Sequence, residues 1–100
     1  MNIKLSPFAE QDLDESKEYY DQQKIGLGDE FISEIVEKFE LIKQNPKQFP
    51  IQYKKMQKAT LDRFSFGIFY IVKNLTIYVL GIFHSSRNPK TMKDRYKTQG

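Results

Sequence analysis

Near Gln57 the spacing of apolar residues changes, and that change limits the folds open to this chain. Before it, Ala9, Leu13, Ser16 and Tyr20 follow one another at three- and four-residue steps, and Phe31/Ile32, Ile35, Phe39 and Ile42 do the same. This is the period of a helix that buries one face. After it, Phe64, Phe66, Ile68, Tyr70 and Val72 stand at every second position, among β-branched and aromatic neighbours. That is the period of a strand. Helices first and strands afterwards point to an α+β domain rather than to alternating βα units.

The punctuation agrees. Asn2-Ile3-Lys4-Leu5 alternates and reads as a short N-terminal strand. Ser6-Pro7 opens a helix, because serine can cap it and proline at the first helical position loses no needed N–H. The stretch from Gln22 to Gly28 breaks the pattern, and a second helix is predicted from about Asp29 to Gln44, stopped by Asn45-Pro46. The pair forms a helical hairpin. Lys47 to Gln57 reads as loop or irregular strand. Three antiparallel strands are then predicted at Ala59–Asp62, Phe64–Val72 and Leu75–His84, the last two joined by a tight turn at Lys73-Asn74. The expectation is a sheet of about four strands with the two helices packed on one face. At 100 residues the chain has room for one domain, taken as residues 1–100.

The last two strands are apolar on nearly both sides. Phe69 and Ile71 oppose the Phe64–Val72 series, and Leu75, Ile77, Val79 and Phe83 alternate with Tyr78, Leu80 and Ile82. A half-solvated antiparallel sheet would show polar residues at alternate positions. The second face therefore needs a cover, either the loop and tail of this chain or a segment of another chain.

Several chemistries are excluded outright. With no cysteine there is no disulfide, thiolate metal site or cysteine nucleophile. No phosphate-binding glycine loop or HExxH motif occurs, and His84 is the only histidine, so no cofactor and no metal are expected. The start, MNIKLSPFAEQ, lacks the apolar run of a signal peptide, and Phe64–His84 is interrupted by Lys73-Asn74. The expected location is the cytoplasm, with no membrane partner.

Charge is unevenly divided. Residues 1–50 carry six Lys against eleven Asp/Glu, whereas residues 51–100 carry ten Lys/Arg against Asp62 and Asp94. The basic half suits nucleic acid or an acidic protein surface. The acidic residues of the first helix, Asp12, Asp14, Glu15 and Glu18, read as a solvated face.

Three segments in this order carry a resemblance. Phe8-Ala9-Glu10-Gln11-Asp12-Leu13, Leu61-Asp62-Arg63-Phe64-Ser65-Phe66-Gly67-Ile68-Phe69-Tyr70 and Val79-Leu80-Gly81-Ile82-Phe83-His84-Ser85-Ser86-Arg87-Asn88-Pro89 resemble the opening helix, the "R-F-P-Y-x-I-x-Y" strand and the "V-L-x-V-x-H-x-x-R-x-P" segment of the RelE/ParE toxins. The resemblance implies the toxin of a bacterial type II toxin–antitoxin module, neutralised by a cognate antitoxin. Its RelE branch cuts mRNA in the ribosome, and its ParE branch inhibits DNA gyrase. The RNase branch has a basic residue where this chain has Gly67, and a second lysine where it has Thr60; Lys58 matches the first. Its tail tyrosine falls at Lys93 here, with Tyr96 further on. These departures favour the ParE-like branch, a gyrase inhibitor, with an mRNA endonuclease as the alternative.

Candidate site residues follow. RNA cleavage would need an acid, a base and cations for the phosphorane charge. An imidazole can exchange protons near neutrality, so His84 with Arg87 is the catalytic candidate under the nuclease reading. Lys58, Arg63, Arg87, Arg95 and Tyr96 are the candidates for contact with the target or with nucleic acid. A lone histidine is otherwise an anchor for the tail turn, and Arg87 could pair with an acidic helix residue instead of a ligand.

Overall fold

A computed structural model describes residues 1–98. Five strands, β1 (Asn2–Leu5), β2 (Ile51–Tyr53), β3 (Met56–Thr60), β4 (Phe66–Lys73) and β5 (Thr76–His84), form one sheet in the order β1-β5-β4-β3-β2. The helices α1 (Pro7–Gln23) and α2 (Leu27–Gln44) pack on one face, and α3 (Pro89–Thr98) lies on the other. A single 3-10 turn, Pro46–Gln48, leads into β2. The α+β class and the helical hairpin agree with the sequence expectation. The sheet differs in two respects. It has five strands, because the Lys47–Gln57 stretch supplies β2 and the start of β3. It is also mixed, because β1 runs parallel to β5, Asn2 opposite Thr76 and Leu5 opposite Val79.

Local chemistry explains the ends. Ser6 Oγ accepts from the Ala9 N–H at 3.0 Å, with Pro7 at the first helical position, so α1 starts as its sequence dictates. The stop is at Lys24 and Gly26 takes φ +86°, a left-handed conformation that glycine adopts without steric cost. Asp21 then accepts the Gly28 N–H at 2.8 Å and pairs with Lys17 at 2.8 Å. The Lys17 hydrogen bond, aided by that N–H, holds the Asp21 carboxyl below the usual carboxylate range.

Under the hairpin, Ala9, Phe31, Ile35 and Ile42 meet Ala59, Leu61, Phe64, Phe66, Ile68, Tyr70, Ile77, Val79 and Ile82. Phe31 stacks edge-on with Phe64 and Phe66 at centroid distances of 5.3 and 5.0 Å. Buried Tyr70 donates to the Pro46 carbonyl at 2.5 Å, and burial pushes its phenol pKa up to about 12. Gln57 donates to the Phe49 carbonyl at 2.9 Å and also bonds the Pro46 carbonyl, tying the loop before β2 to the core.

The opposite face is smaller. Met56, Phe69, Ile71, Leu80 and Phe83 are covered by Met92 of α3, with Tyr53, Tyr78 and Tyr96 at its margin. The strand β5 serves both faces through a bulge. Phe69 pairs with Gly81 but Tyr70 pairs with Val79, so Leu80 is passed over. The bulge shifts the side-chain parity. Ile77, Val79 and Ile82 face the hairpin, whereas Leu80 and Phe83 face α3. The strict alternation that put Phe83 with Val79, and Ile82 with Leu80, is thereby corrected.

Candidate functional site

The end of the sheet where β4 begins and β5 ends gathers most of the basic candidates. Phe66 lies opposite His84, and Lys58 of β3 lies opposite Phe69. Lys58, His84 and Arg87 line one hollow of about 110 Å³, whose floor is Phe69, Phe83 and Met92 and whose far wall is Asn88-Pro89 at the start of α3. An adjoining hollow of about 310 Å³ shares Lys58 and Ser85 and adds Thr60, Asp62 and Arg63.

The two cations of the first hollow rest on rings. Lys58 Nζ lies 5.5 Å from the Phe69 centroid and the Arg87 guanidinium 5.1 Å from that of Phe83; the rings themselves are 5.4 Å apart. Neither Lys58 nor Arg87 has a carboxylate partner among the described residues, and no acidic residue lines this hollow. Arg87 therefore does not make the helix ion pair that was one reading of it.

Gly67 has a steric reason here. A Cβ on it would stand 2.7 Å from Lys58 Cε, so a side chain at 67 would displace Lys58 from its ring. Gly81 has a similar one, since a Cβ there would enter the Phe83 ring at 2.4 Å. Both glycines let the platform pack flat against the sheet.

His84 is exposed, with its ring edge-on to Phe66 at 5.2 Å. The Ser86 N–H donates to Nδ1 at 3.0 Å, and Ser86 Oγ lies 2.7 Å from the same nitrogen. A backbone donor at Nδ1 places the ring proton of the neutral imidazole on Nε2. The ring thus braces the turn that carries Arg87, whose own N–H donates to the His84 carbonyl at 2.9 Å.

Arg63 is fixed from α2. Glu30 accepts its guanidinium at 2.6 Å, Glu34 accepts its backbone N–H at 3.1 Å together with that of Asp62, and Lys38 pairs with Asp62 at 3.3 Å. The Arg63 hydrogen bond holds the Glu30 carboxyl below the usual range and raises the Arg63 guanidinium further. Three residues one turn apart thus clamp the loop between β3 and β4.

Arg95 and Tyr96 do not line the first hollow, although the Arg95 guanidinium lies 4.8 Å from the centroid of the Phe83 ring in its floor. Arg95 turns inward: its Nη1 and Nη2 donate to Asp12 at 2.7 and 3.1 Å, and Nη1 also donates to the Leu80 carbonyl at 3.0 Å. Asp12 in turn accepts the Ile82 N–H at 3.1 Å, so the pair takes up backbone groups beside the bulge, where β1 has ended. Asp12 is buried, which corrects the solvated reading of that residue; Asp14, Glu15 and Glu18 are exposed as expected. The signal was present in the spacing, since Asp12 falls between Ala9 and Ser16 on the inward face. Tyr96 packs edge-on against Tyr53 at 5.6 Å. Phe69, Phe83 and Asn88-Pro89, which stand in the family-like segments but are not among the site candidates read from the sequence, also line the first hollow.

A second cavity lies across the sheet on the α3 side. About 620 Å³ in volume, it is bounded by Lys4, Leu5, Lys73, Asn74, Tyr78 and Leu80. A hollow of about 230 Å³ beside Phe8 and Arg95 continues it through Ser6 and Leu80.

Against known proteins, residues 3–89 match the family described as "ParE toxin of type II toxin-antitoxin system, parDE". The chain belongs to the ParE toxin family. A solved structure titled "Chromosomal ParDE TA system from P. aeruginosa" is similar in fold, with a TM-score of 0.75 and 25% sequence identity over 84% of this chain and 95% of that one. No curated protein sequence matches. The ParE assignment agrees with the resemblance read from the three segments, and it makes the chain a ParE-type toxin of a type II toxin–antitoxin system. No described helix is long and apolar enough to cross a membrane.

Proposed function

We propose that this ParE-family toxin acts by inhibiting DNA gyrase and is neutralised by a cognate antitoxin. The observation that carries the choice of target is the pair Thr60 and Gly67. They lie directly opposite each other on β3 and β4, at the two places where the RNase branch carries cations. A phosphorane dianion needs concentrated positive charge at the reacting phosphate. Here that corner holds a hydroxyl and no side chain at all, and the space beside Gly67 is filled by the Lys58 alkyl chain. What is left, Lys58 and Arg87 on their two rings with Arg63 nearby, suits electrostatic recognition of an acidic or nucleic-acid-bearing surface.

The antitoxin reading draws on the second cavity. Lys4 and Lys73 flank an apolar floor there and have no carboxylate partner among the described residues. Among the described residues, no strand lies beside β1 on the edge away from β5. An acidic segment with apolar side chains fits such a surface. The structure titled as a ParDE system joins toxin and antitoxin in its own name.

The decisive experiment pairs two assays on one preparation. Purified toxin should inhibit gyrase supercoiling and leave ribosome-bound mRNA intact, and Arg87→Ala should weaken inhibition by about tenfold or more. Cleavage of ribosome-bound mRNA by the wild type would replace this reading with the endonuclease one.

A further inference from the structure

We propose that the tip of the β4–β5 hairpin is an anchor for the antitoxin, with Leu75 held out on a strained backbone to seat in an apolar pocket of that partner. The inference rests on the toxin–antitoxin reading above.

The connection has two residues, Asn74 and Leu75, with φ of +52° and +63°. Two-residue hairpins need positive φ at both central positions, and Asn-Gly satisfies that need with least strain. Asn74 fits. Leu75 does not, because its Cβ crowds the backbone in the left-handed region at a cost in free energy. Burial would offset such a cost, but Leu75 is 76% exposed. Val72, near the end of β4, is also partly exposed. Within this chain the leucine therefore loses on both counts. A residue that is locally unfavourable and unburied finds its compensation in a contact outside the chain.

Position identifies which contact. Lys73 and Asn74 of the same turn form a wall of the large cavity, so the tip is continuous with it. The Lys58–Arg87 hollow meets β4 at Phe69, four residues and so about 13 Å along the strand from Lys73, and shares no lining residue with the cavity. Whatever fills the cavity passes the tip; whatever engages the basic hollow does not. Lys4 and Lys73 ask for carboxylates, the floor of Leu5, Tyr78 and Leu80 asks for apolar side chains, and the open β1 edge can pair an extended segment. The occupant is an acidic, partly apolar stretch of the antitoxin that closes over Leu75.

The test uses Leu75→Asn and Leu75→Gly, both compatible with positive φ, and as probe the purified protein encoded by the adjacent reading frame. Both variants should resist chemical denaturation at least as well as the wild type, arrest growth when expressed alone, and bind the probe about tenfold or more weakly. Unchanged binding by both variants overturns the proposal. So does loss of stability, which would show that the leucine packs within its own fold. Loss of growth arrest with unchanged probe binding assigns the tip to the target and overturns it as well. If the wild type itself does not bind the probe, the failure is of the toxin–antitoxin reading and not of the tip alone.

Discussion

The two faces of the sheet are built differently. Under the α1–α2 hairpin, side chains from β3, β4 and β5 meet two long helices, and even the polar groups there are committed: Tyr70 to Pro46, Glu34 to the Asp62–Arg63 backbone. Under α3 the core is shorter, its cover is one ten-residue helix, and cavities open on both sides of it. The face with less cover carries both the unpaired cations and the large cavity. Packing is concentrated on one side and the proposed recognition surfaces lie on the other, as expected when binding surfaces are drawn from less buried regions.

The largest effect belongs to the hairpin face. Phe31→Ala should cost about 3–5 kcal/mol and Ile82→Ala about 2–5 kcal/mol in urea unfolding. Met92→Ala, which removes the α3 contact at the edge of the smaller core, should cost clearly less. Equal losses at Phe31 and Met92 would abolish the asymmetry.

Arg95 comes next, and it crosses between the faces. Arg95→Met leaves the Asp12 carboxylate buried with the Ile82 N–H as its remaining partner. Breaking a buried pair costs about 3–5 kcal/mol in general; the partial exposure of Arg95 lowers the expectation to about 2–3 kcal/mol. The double change Asp12→Asn with Arg95→Met should recover part of the loss. This reverses what the sequence implies for Arg95, where a long basic side chain in a basic tail reads as dispensable for folding.

That reversal shows where the sequence was legible. The α1–α2 hairpin could be read because its stripe and its breakers are local, as in Ser6-Pro7 and Asn45-Pro46. The bulge at Leu80 could not. Nothing in Val79-Leu80-Gly81-Ile82-Phe83 marks which residue is skipped, since all but glycine are apolar and both faces are buried. The turn was placed one residue early, at Lys73-Asn74, because Leu75 is a poor turn residue and a good strand residue. The tail was one of the two covers expected for the second face, but its helical form was not read, because Pro89–Thr98 is polar and its only large apolar side chains toward the sheet are Met92 and Tyr96. The ion pair of Asp12 with Arg95 spans 83 positions, beyond any local pattern. At the site, Lys58, His84 and Arg87 were found by charge and motif and are brought together, whereas Phe69 and Phe83 beneath them looked like ordinary core.

A third test uses pH. The Tyr70 phenol has a folded pKa of about 12, above its ordinary value of 10.0. Between these values the unfolded chain releases the proton while the folded one retains it. The Tyr70 contribution is therefore complete below about pH 10 and is lost as pH rises toward 12. Tyr70→Phe should flatten the fall of unfolding free energy across that window. An unchanged slope would mean that the phenol is not sealed beneath the hairpin.

The smallest effect on folding should come from the proposed recognition face. Arg87 has no ion-pair partner among the described residues, and its ring contact with Phe83 is duplicated by Arg95, whose guanidinium lies 4.8 Å from the same centroid. Removing the Arg87 head group leaves Phe83 covered and no carboxylate stranded. Arg87→Ala should therefore change unfolding free energy by less than about 0.5 kcal/mol, the range of ordinary surface substitutions, while growth arrest falls sharply. Arg87→Lys separates charge from shape: a planar guanidinium lying on a ring is not reproduced by an ammonium, so Lys should restore only part of the activity. Destabilisation by Arg87→Ala comparable with that of Arg95→Met would place Arg87 in the scaffold, and the division of labour between the two faces would then be drawn in the wrong place.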